Sequence, residues 1–133
     1  MASITRETLV NAAPAAIWDA VRDVGALHTR LVPGMVTHVV LEPGDPPVRT
    51  VTFADGLQLR EIIVASDDAA RRLVWTIDGP PVTHHNGALQ VFDAGNDTAR
   101  VVWTADVLPD ALAESFGNLM TAGLATMASH LGH

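Results

Sequence analysis

Residues 110–131 read DALAESFGNLMTAGLATMASHL, and this stretch decides the fold. Its apolar residues recur at spacings of three and four, which predicts an amphipathic helix about 33 Å long at 1.5 Å per residue. Asp110 suits the N-terminal end, where the helix dipole favours an anion, and Gly132 lies where a C-cap is expected. A helix this long needs a broad apolar partner. The apolar face consists of Leu112, Phe116, Leu119, Met120, Gly123, Leu124, Met127 and Leu131.

The rest of the chain is predicted to supply that partner as a sheet. An opening strand spans residues 3–10, with Ile4, Arg6, Thr8 and Val10 on one face, and a helical stretch begins near Pro14, a residue suited to the first helical position. Short turns rich in Gly, Pro and Asp separate the later strands, which predicts an antiparallel meander and an α+β fold. The six later strands are predicted at 36–42, 48–53, 57–65, 72–77, 84–92 and 99–107.

Composition narrows the classes of function. The 133 residues carry a net charge of −7, and all eight basic residues are scattered arginines, so a nucleic-acid or anionic-membrane partner is not expected. There is no cysteine, and no apolar run approaches the ~20 residues of a membrane span. We expect one cytoplasmic domain covering 1–133, as a monomer or homodimer. The 48% hydrophobic content favours a large core or an apolar cavity.

Three segments carry a resemblance to a known family: 13–21 (APAAIWDAV), 57–61 (LQLRE), and 101–109, from Val-Val-Trp to the proline before the last helix. With the order of elements, they resemble the START-like, helix-grip (SRPBCC) superfamily, and most of all its polyketide cyclase/dehydrase branch. The resemblance implies a curved antiparallel sheet of about seven strands wrapped on the long C-terminal helix, with one or two short helices after the first strand.

The resemblance also implies a function. We expect an internal pocket that binds a small hydrophobic oxygenated molecule, with polyketide-type aldol cyclisation or dehydration as the reaction if the protein is an enzyme. The alternative is a non-catalytic binding or carrier protein for a lipid or small metabolite. A fold alone does not choose between these functions.

The candidate site depends on which side chains of each strand face inward. In the fourth strand, Glu61 falls in one set with Leu59 and Ile63, and this apolar set is predicted to face inward. Hydrophobicity does not choose between the sets that begin at His84 and His85, and the resemblance favours the His84 set. In the last strand the same resemblance places Thr104 and Asp106 inward and Trp103 outward.

With these phases, four polar residues are predicted to be catalytic. His84 or Asp106 would move the proton, Asn86 would hold a developing oxyanion, and Glu61 would orient the ligand or exchange protons. No cofactor or metal is expected, because His84 and its neighbour His85 point to opposite faces. The residues predicted to bind the ligand are Leu59, Trp75, Ala88, Phe92, Thr104, Phe116, Met120 and Met127.

Each polar candidate also has a structural interpretation. Glu61 could pair with an arginine at the rim of the sheet, since buried carboxylates are generally paired. Asp106 could cap the loop before the last helix, and His84 with Asn86 could satisfy loop backbone. Met120 and Met127 could simply fill the core. The sequence leaves these alternatives open.

Overall fold

The computed structural model describes residues 2–133 and confirms the predicted order of elements. Strand β1 (Ala2–Val10) leads into helix α1 (Pro14–Arg22) and one π-helical turn, Leu27–Leu31. A 3₁₀ turn, Asp110–Leu112, precedes the final helix α2 (Ala113–Leu131). Between them lie β2 (Val36–Glu42), β3 (Val48–Phe53), β4 (Gln58–Asp67), β5 (Arg72–Ile77), β6 (His84–Gly95) and β7 (Thr98–Leu108).

All seven strands form a single antiparallel sheet in the order β1-β7-β6-β5-β4-β3-β2. Strands β2 to β7 follow one another as hairpins, and the Asp55-Gly56 turn uses a glycine at φ +93°. The first strand pairs with the last, so that Ala2 lies opposite Val107 and Val10 opposite Ala99. This sheet, closed over a long C-terminal helix, is the helix-grip architecture.

Helix α2 packs its predicted apolar face against the inner face of the sheet. Phe116, Met120, Leu124 and Met127 are buried. They belong to two hydrophobic clusters, because Leu124 and Met127 pack with α1 and one end of the sheet, whereas Phe116 and Met120 pack with the other end. The regular helix begins three residues later than predicted, at Ala113, since residues 110–112 form the 3₁₀ turn.

Helix α1 begins at Pro14, as predicted, and buries Ile17, Ala20 and Val21. Its Trp18 is also buried, and the indole Nε1 donates a 2.9 Å hydrogen bond to Asp68 Oδ1, beyond the end of β4.

Across residues 2–133, no helix combines the length and apolarity needed to cross a bilayer.

Candidate functional site

A cavity lies between α2 and the inner face of the sheet, where the two hydrophobic clusters meet. About 660 Å³ between its lining atoms, including the open mouth, is free of protein, and about 60 Å³ of this admits the centre of a water molecule. Since one water needs roughly 10–15 Å³ by that measure, the space suits a few waters or a small organic molecule. Its walls are mainly apolar side chains from the strands, the π-helical turn and α2, interrupted by Arg49, Glu61 and His85.

Arg49 and Glu61 form a buried ion pair on the cavity wall. They lie directly opposite each other on β3 and β4, and Arg49 Nε donates to Glu61 Oε1 at 2.8 Å. Arg49 Nη1 also donates to the carbonyl oxygen of Val24 at 3.3 Å, and the guanidinium carbon lies 5.9 Å from the centre of the Trp75 ring. Glu61 thus faces inward as predicted, and its arginine partner lies in the interior rather than at the sheet rim.

His85 is the third polar residue of the wall, and its side chain is held from both sides. The backbone N–H of Ile77 donates to His85 Nδ1 at 3.2 Å, and the ring centre lies 5.8 Å from that of Phe116. Burial is the main cause that lowers the pKa of His85 to about 4, so the imidazole is neutral at pH 7. Because Nδ1 accepts a hydrogen bond, the ring proton of this neutral form lies on Nε2.

Two tryptophans form the aromatic part of the wall. The rings of Trp75 and Trp103 are 5.8 Å apart at an interplanar angle of 57°. Trp103 approaches α2 at Gly123, where a Cβ atom would lie 2.9 Å from Trp103 Cζ3. The indole Nε1 of Trp103 is buried and has no hydrogen-bond partner within residues 2–133. Glycine at position 123 therefore makes room for the indole ring against the helix.

The predicted phases of β6 and β7 are wrong. The buried set in β6 is His85, Leu89 and Val91 together with the intervening glycine, so His84 and Asn86 point outward and are exposed. In β7 the predicted inward set, which contains Asp106, likewise lies on the outer face. A phase error of one residue moves every side chain of a strand to the opposite face.

The predicted convergence of these residues occurs on the outer face instead. Asn86 lies opposite Asp106, and its Nδ2 donates to Asp106 Oδ2 at 2.8 Å. His84 Nε2 lies 2.9 Å from Asn86 Oδ1, and the Ser3 hydroxyl donates to Asp106 Oδ1 at 2.5 Å. The hydrogen bonds from Ser3 and Asn86 hold the pKa of Asp106 below its usual value. Asp106 therefore joins β1, β6 and β7 through side chains.

The predicted ligand-binding residues divide by face in the same way. Leu59, Trp75, Phe116 and Met127 line the cavity. Met120 is fully buried in the core but does not reach the cavity wall, which agrees with core filling. The remaining three predicted residues are outside the cavity, because their strands have the opposite phase: they are Ala88, Phe92 and Thr104.

Arg49, His85 and Trp103 are among the wall residues that the sequence analysis did not predict. A signal for Trp103 was present, because its alternate positions in β7 are all apolar. A weaker signal for His85 was the apolar Leu89 and Val91 of its set. Arg49 had the same kind of signal in Val51 and Phe53 of its set, whereas its pairing with Glu61 depends on the register between β3 and β4. In the described part of the chain, no three His, Asp or Glu side chains are grouped closely enough to hold a metal ion.

Comparison with known proteins places the chain in a family. Residues 1–132 match the family model described as polyketide cyclase / dehydrase and lipid transport. The chain belongs to this family. The family match agrees with the helix-grip fold. No curated protein sequence matches the chain.

Solved structures agree with the family assignment. A Thermobifida fusca protein with a solution NMR structure is 32% identical, with a TM-score of 0.81, and the match covers 96% of this chain and 91% of that one. The XoxI protein of Bacillus cereus is 22% identical, with a TM-score of 0.86 over 98% and 96% of the two chains. The Zhui aromatase/cyclase of Streptomyces sp. R1128 shares the fold at 17% identity, with a TM-score of 0.80 over 96% and 92%.

Proposed function

We propose that the cavity binds a small, hydrophobic, oxygenated molecule and that the protein promotes its intramolecular aldol cyclisation or dehydration. The observation that carries this proposal is the Arg49–Glu61 pair, which is buried in an otherwise apolar cavity wall. Two buried charges are costly to desolvate, and a well-packed apolar pair would serve the core equally well. A pair in this position is therefore better explained by contact with a polar ligand. The family description and the fold shared with an aromatase/cyclase support the same reaction class.

The chemistry needs one proton acceptor and one cation close to the ligand. In a molecule with alternating carbonyl groups, the C–H between two carbonyls is acidic. The Glu61 carboxylate would accept that proton, and the Arg49 guanidinium would stabilise the enolate oxygen that results. The enolate carbon then attacks a second carbonyl of the same molecule, and the new alkoxide takes the proton back from Glu61. Dehydration removes a second C–H proton and the new hydroxyl as water.

The apolar walls of the cavity would also accelerate the reaction, because they would restrict the conformation of the ligand. Trp75 and Trp103 present aromatic surfaces on one side of the cavity, and Phe116 on α2 lies near His85 on the wall. A flexible ligand confined between these surfaces loses its extended conformers before the reaction. Well-oriented intramolecular reactions gain up to about 7–11 kcal/mol in this way.

The second candidate function is non-catalytic binding of the same kind of molecule. The observation that favours it is the hydrogen bond from Arg49 to Glu61 Oε1, because it occupies one of the two carboxylate oxygens that could accept a proton. In this case Arg49 and Glu61 would only orient the ligand. The lipid-transport part of the family description agrees with this candidate.

Binding and turnover of a series of synthetic poly-β-ketones of increasing length (the ketone series), followed by mass spectrometry, separate the two candidate functions. Glu61→Gln keeps an oxygen facing Arg49 but cannot accept the proton, so this variant is expected to bind the ketone and lose turnover. Glu42→Gln is the matched control, because Glu42 is exposed at the far edge of the sheet. Binding of an unchanged ketone by the wild-type chain would favour the carrier. Absence of binding for the whole ketone series would refute both functions.

A further inference from the structure

Most polar side-chain atoms of the cavity-wall residues that have no hydrogen-bond partner within residues 2–133 are donors. His85 is the first example. Its Nδ1 is occupied by the backbone N–H of Ile77, so the proton lies on Nε2. Within residues 2–133, His85 Nε2 has no hydrogen-bond partner, although the residue is only 4% exposed and lines the cavity. The imidazole therefore offers one N–H to whatever occupies the cavity.

Trp103 supplies a second free donor. Indole Nε1 can only donate, and in Trp103 this atom is buried without a partner in the described chain. The other buried indole that contacts a polar group, that of Trp18, donates to Asp68 and lies away from the cavity. An unpaired buried N–H is unfavourable, so a ligand oxygen that reaches the Trp103 indole would remove this cost.

The Arg49–Glu61 ion pair adds more unused donors than acceptors to the cavity wall. Arg49 carries five N–H groups, of which Nε is used by Glu61 and Nη1 by the carbonyl of Val24. No residue in 2–133 accepts a hydrogen bond from Arg49 Nη2. Glu61 Oε2 is the corresponding free acceptor of the pair. The two charges of the pair cancel, so the wall offers neither an unpaired cation nor an unpaired anion to a charged ligand.

We infer that the cavity selects uncharged ligands that present at least two hydrogen-bond acceptors, such as the carbonyl oxygens of an aromatic diketone, and that His85 Nε2 and Trp103 Nε1 determine this selectivity. The inference rests on the proposed binding function and specifies its ligand class. An ammonium group offers only donors and must be desolvated in an apolar wall, so an amine of the same shape is excluded. A hydrocarbon of the same shape fits but leaves both N–H groups unpaired.

Three para-disubstituted benzenes of nearly equal size test this selectivity by calorimetric titration of the full chain. They are para-diacetylbenzene, para-diisopropylbenzene and para-bis(1-aminoethyl)benzene. The diketone is expected to bind at least about tenfold more tightly than the hydrocarbon, and the diamine is expected not to bind. Equal binding of the diketone and the hydrocarbon would refute the selectivity while leaving the cavity's binding function intact. If none of the three binds, the proposed binding function itself fails.

Two variants assign the selectivity to its donors. Trp103→Phe removes one N–H but keeps an aromatic ring, and it should weaken diketone binding about three- to tenfold while leaving hydrocarbon binding unchanged. His85→Met removes the other N–H, because a thioether can accept weakly from the Ile77 N–H but cannot donate, and it should likewise weaken binding of the diketone and not of the hydrocarbon. Trp18→Phe is the control. Equal losses for the diketone and the hydrocarbon in Trp103→Phe would show a packing role and overturn the assignment.

NMR detects hydrogen bonding of the Trp103 indole directly, so it distinguishes a hydrogen bond to the ligand from a packing contact. The chain has three tryptophans, so its ¹⁵N–¹H spectrum has three indole N–H signals, each assignable by a Trp→Phe variant. On addition of the diketone, the Trp103 indole proton should shift downfield, because it becomes hydrogen bonded, whereas the Trp18 signal should stay in place. A Trp103 signal that responds equally to the hydrocarbon would contradict the inference.

Discussion

Arg49 Nε lies 2.8 Å from Glu61 Oε1, and the two side chains are only 4% and 8% exposed. They occupy directly opposed positions on neighbouring strands, and Arg49 also binds the backbone carbonyl of Val24, which follows α1. One side chain thus connects two strands to the chain segment before the π-helical turn. The pair is both a structural junction and the most polar part of the cavity wall, so its two roles need separate measurements.

Removal of one partner should destabilise the protein strongly. Arg49→Met leaves the Glu61 carboxylate buried without its cation, and the free energy of unfolding is expected to fall by about 3–5 kcal/mol. The double variant Arg49→Met/Glu61→Leu should recover most of this loss, because no charge remains buried. Urea denaturation of the two variants and the wild type measures both values. A double variant no more stable than Arg49→Met would show that the packing of Arg49, rather than its charge, is responsible.

The double variant also separates stability from function. If it is folded but no longer binds the ketone series, the ion pair is required for ligand binding. Retained binding with wild-type affinity would contradict the proposed role of Arg49 and Glu61.

His85 should make the stability depend on pH between about 4 and 6.5. The pKa of His85 is lowered from 6.5 to about 4, so within this window the unfolded chain binds more protons than the folded chain. Stability is therefore full above pH 6.5 and falls as the pH is lowered towards 4, by at most about 3 kcal/mol from this group. Urea denaturation at a series of pH values, compared between the wild type and His85→Gln, isolates this contribution. Identical pH dependence in both proteins would exclude His85 as its source.

Residue periodicity predicts the elements of this fold better than it predicts the site. The long helix and the strand order follow from local spacing and turn residues, and the phase of β4 follows from Leu59 and Ile63 on either side of Glu61. The phase of β7 was also predictable, because every second residue from Ala99 to Val107 is apolar, whereas the opposite set contains Thr104 and Asp106. The resemblance to other helix-grip proteins implies the opposite phase, and a phase error of one residue moves every side chain of the strand to the other face.

Other features of the site could not be predicted from spacing. The ion pair requires that Arg49 and Glu61 lie in register across two strands, which depends on the hairpin between them. The single tautomer of His85 depends on a hydrogen bond from Ile77 in a neighbouring strand. Asn86 and Asp106 were predicted to share one inward-facing site, and they lie opposite each other on the outer face. The register between two strands determines which residues lie opposite each other, whereas the phase of each strand determines the face of the sheet on which they lie. Only the predicted face was wrong.

The outer-face residues should not affect ligand binding. His84→Ala and Asp106→Ala remove side chains that are hydrogen bonded to each other through Asn86 on the solvent side of the sheet. Both variants are expected to bind the ketone series with wild-type affinity, and Asp106→Ala should lose a little stability because Ser3 and Asn86 lose their common acceptor. Titration calorimetry checks the affinity. A substantial loss of binding in His84→Ala would restore a functional role to this face.

The two glycines of α2 should respond differently to alanine. At Gly123 a Cβ atom would lie 2.9 Å from the Trp103 ring, so Gly123→Ala must push the indole into the cavity. At Gly117 the nearest atom to such a Cβ is the flexible end of the exposed Arg6 side chain, which can move away. Alanine is favoured over glycine in a helix by up to about 1 kcal/mol. Gly117→Ala is therefore expected to raise the free energy of unfolding by up to about this amount and to leave ligand binding unchanged.

Gly123→Ala should lose at least tenfold in affinity for para-diacetylbenzene with little net change in stability, because the helical gain offsets part of the clash. Thermal unfolding measures the stability of Gly117→Ala and Gly123→Ala, and calorimetric titration measures the affinity of each variant for the diketone. The comparison is matched, since both changes add one methyl group to a buried position of the same helix. Unchanged affinity in Gly123→Ala would mean that Trp103 can move without narrowing the binding site. That result would remove the indole from the proposed ligand contacts.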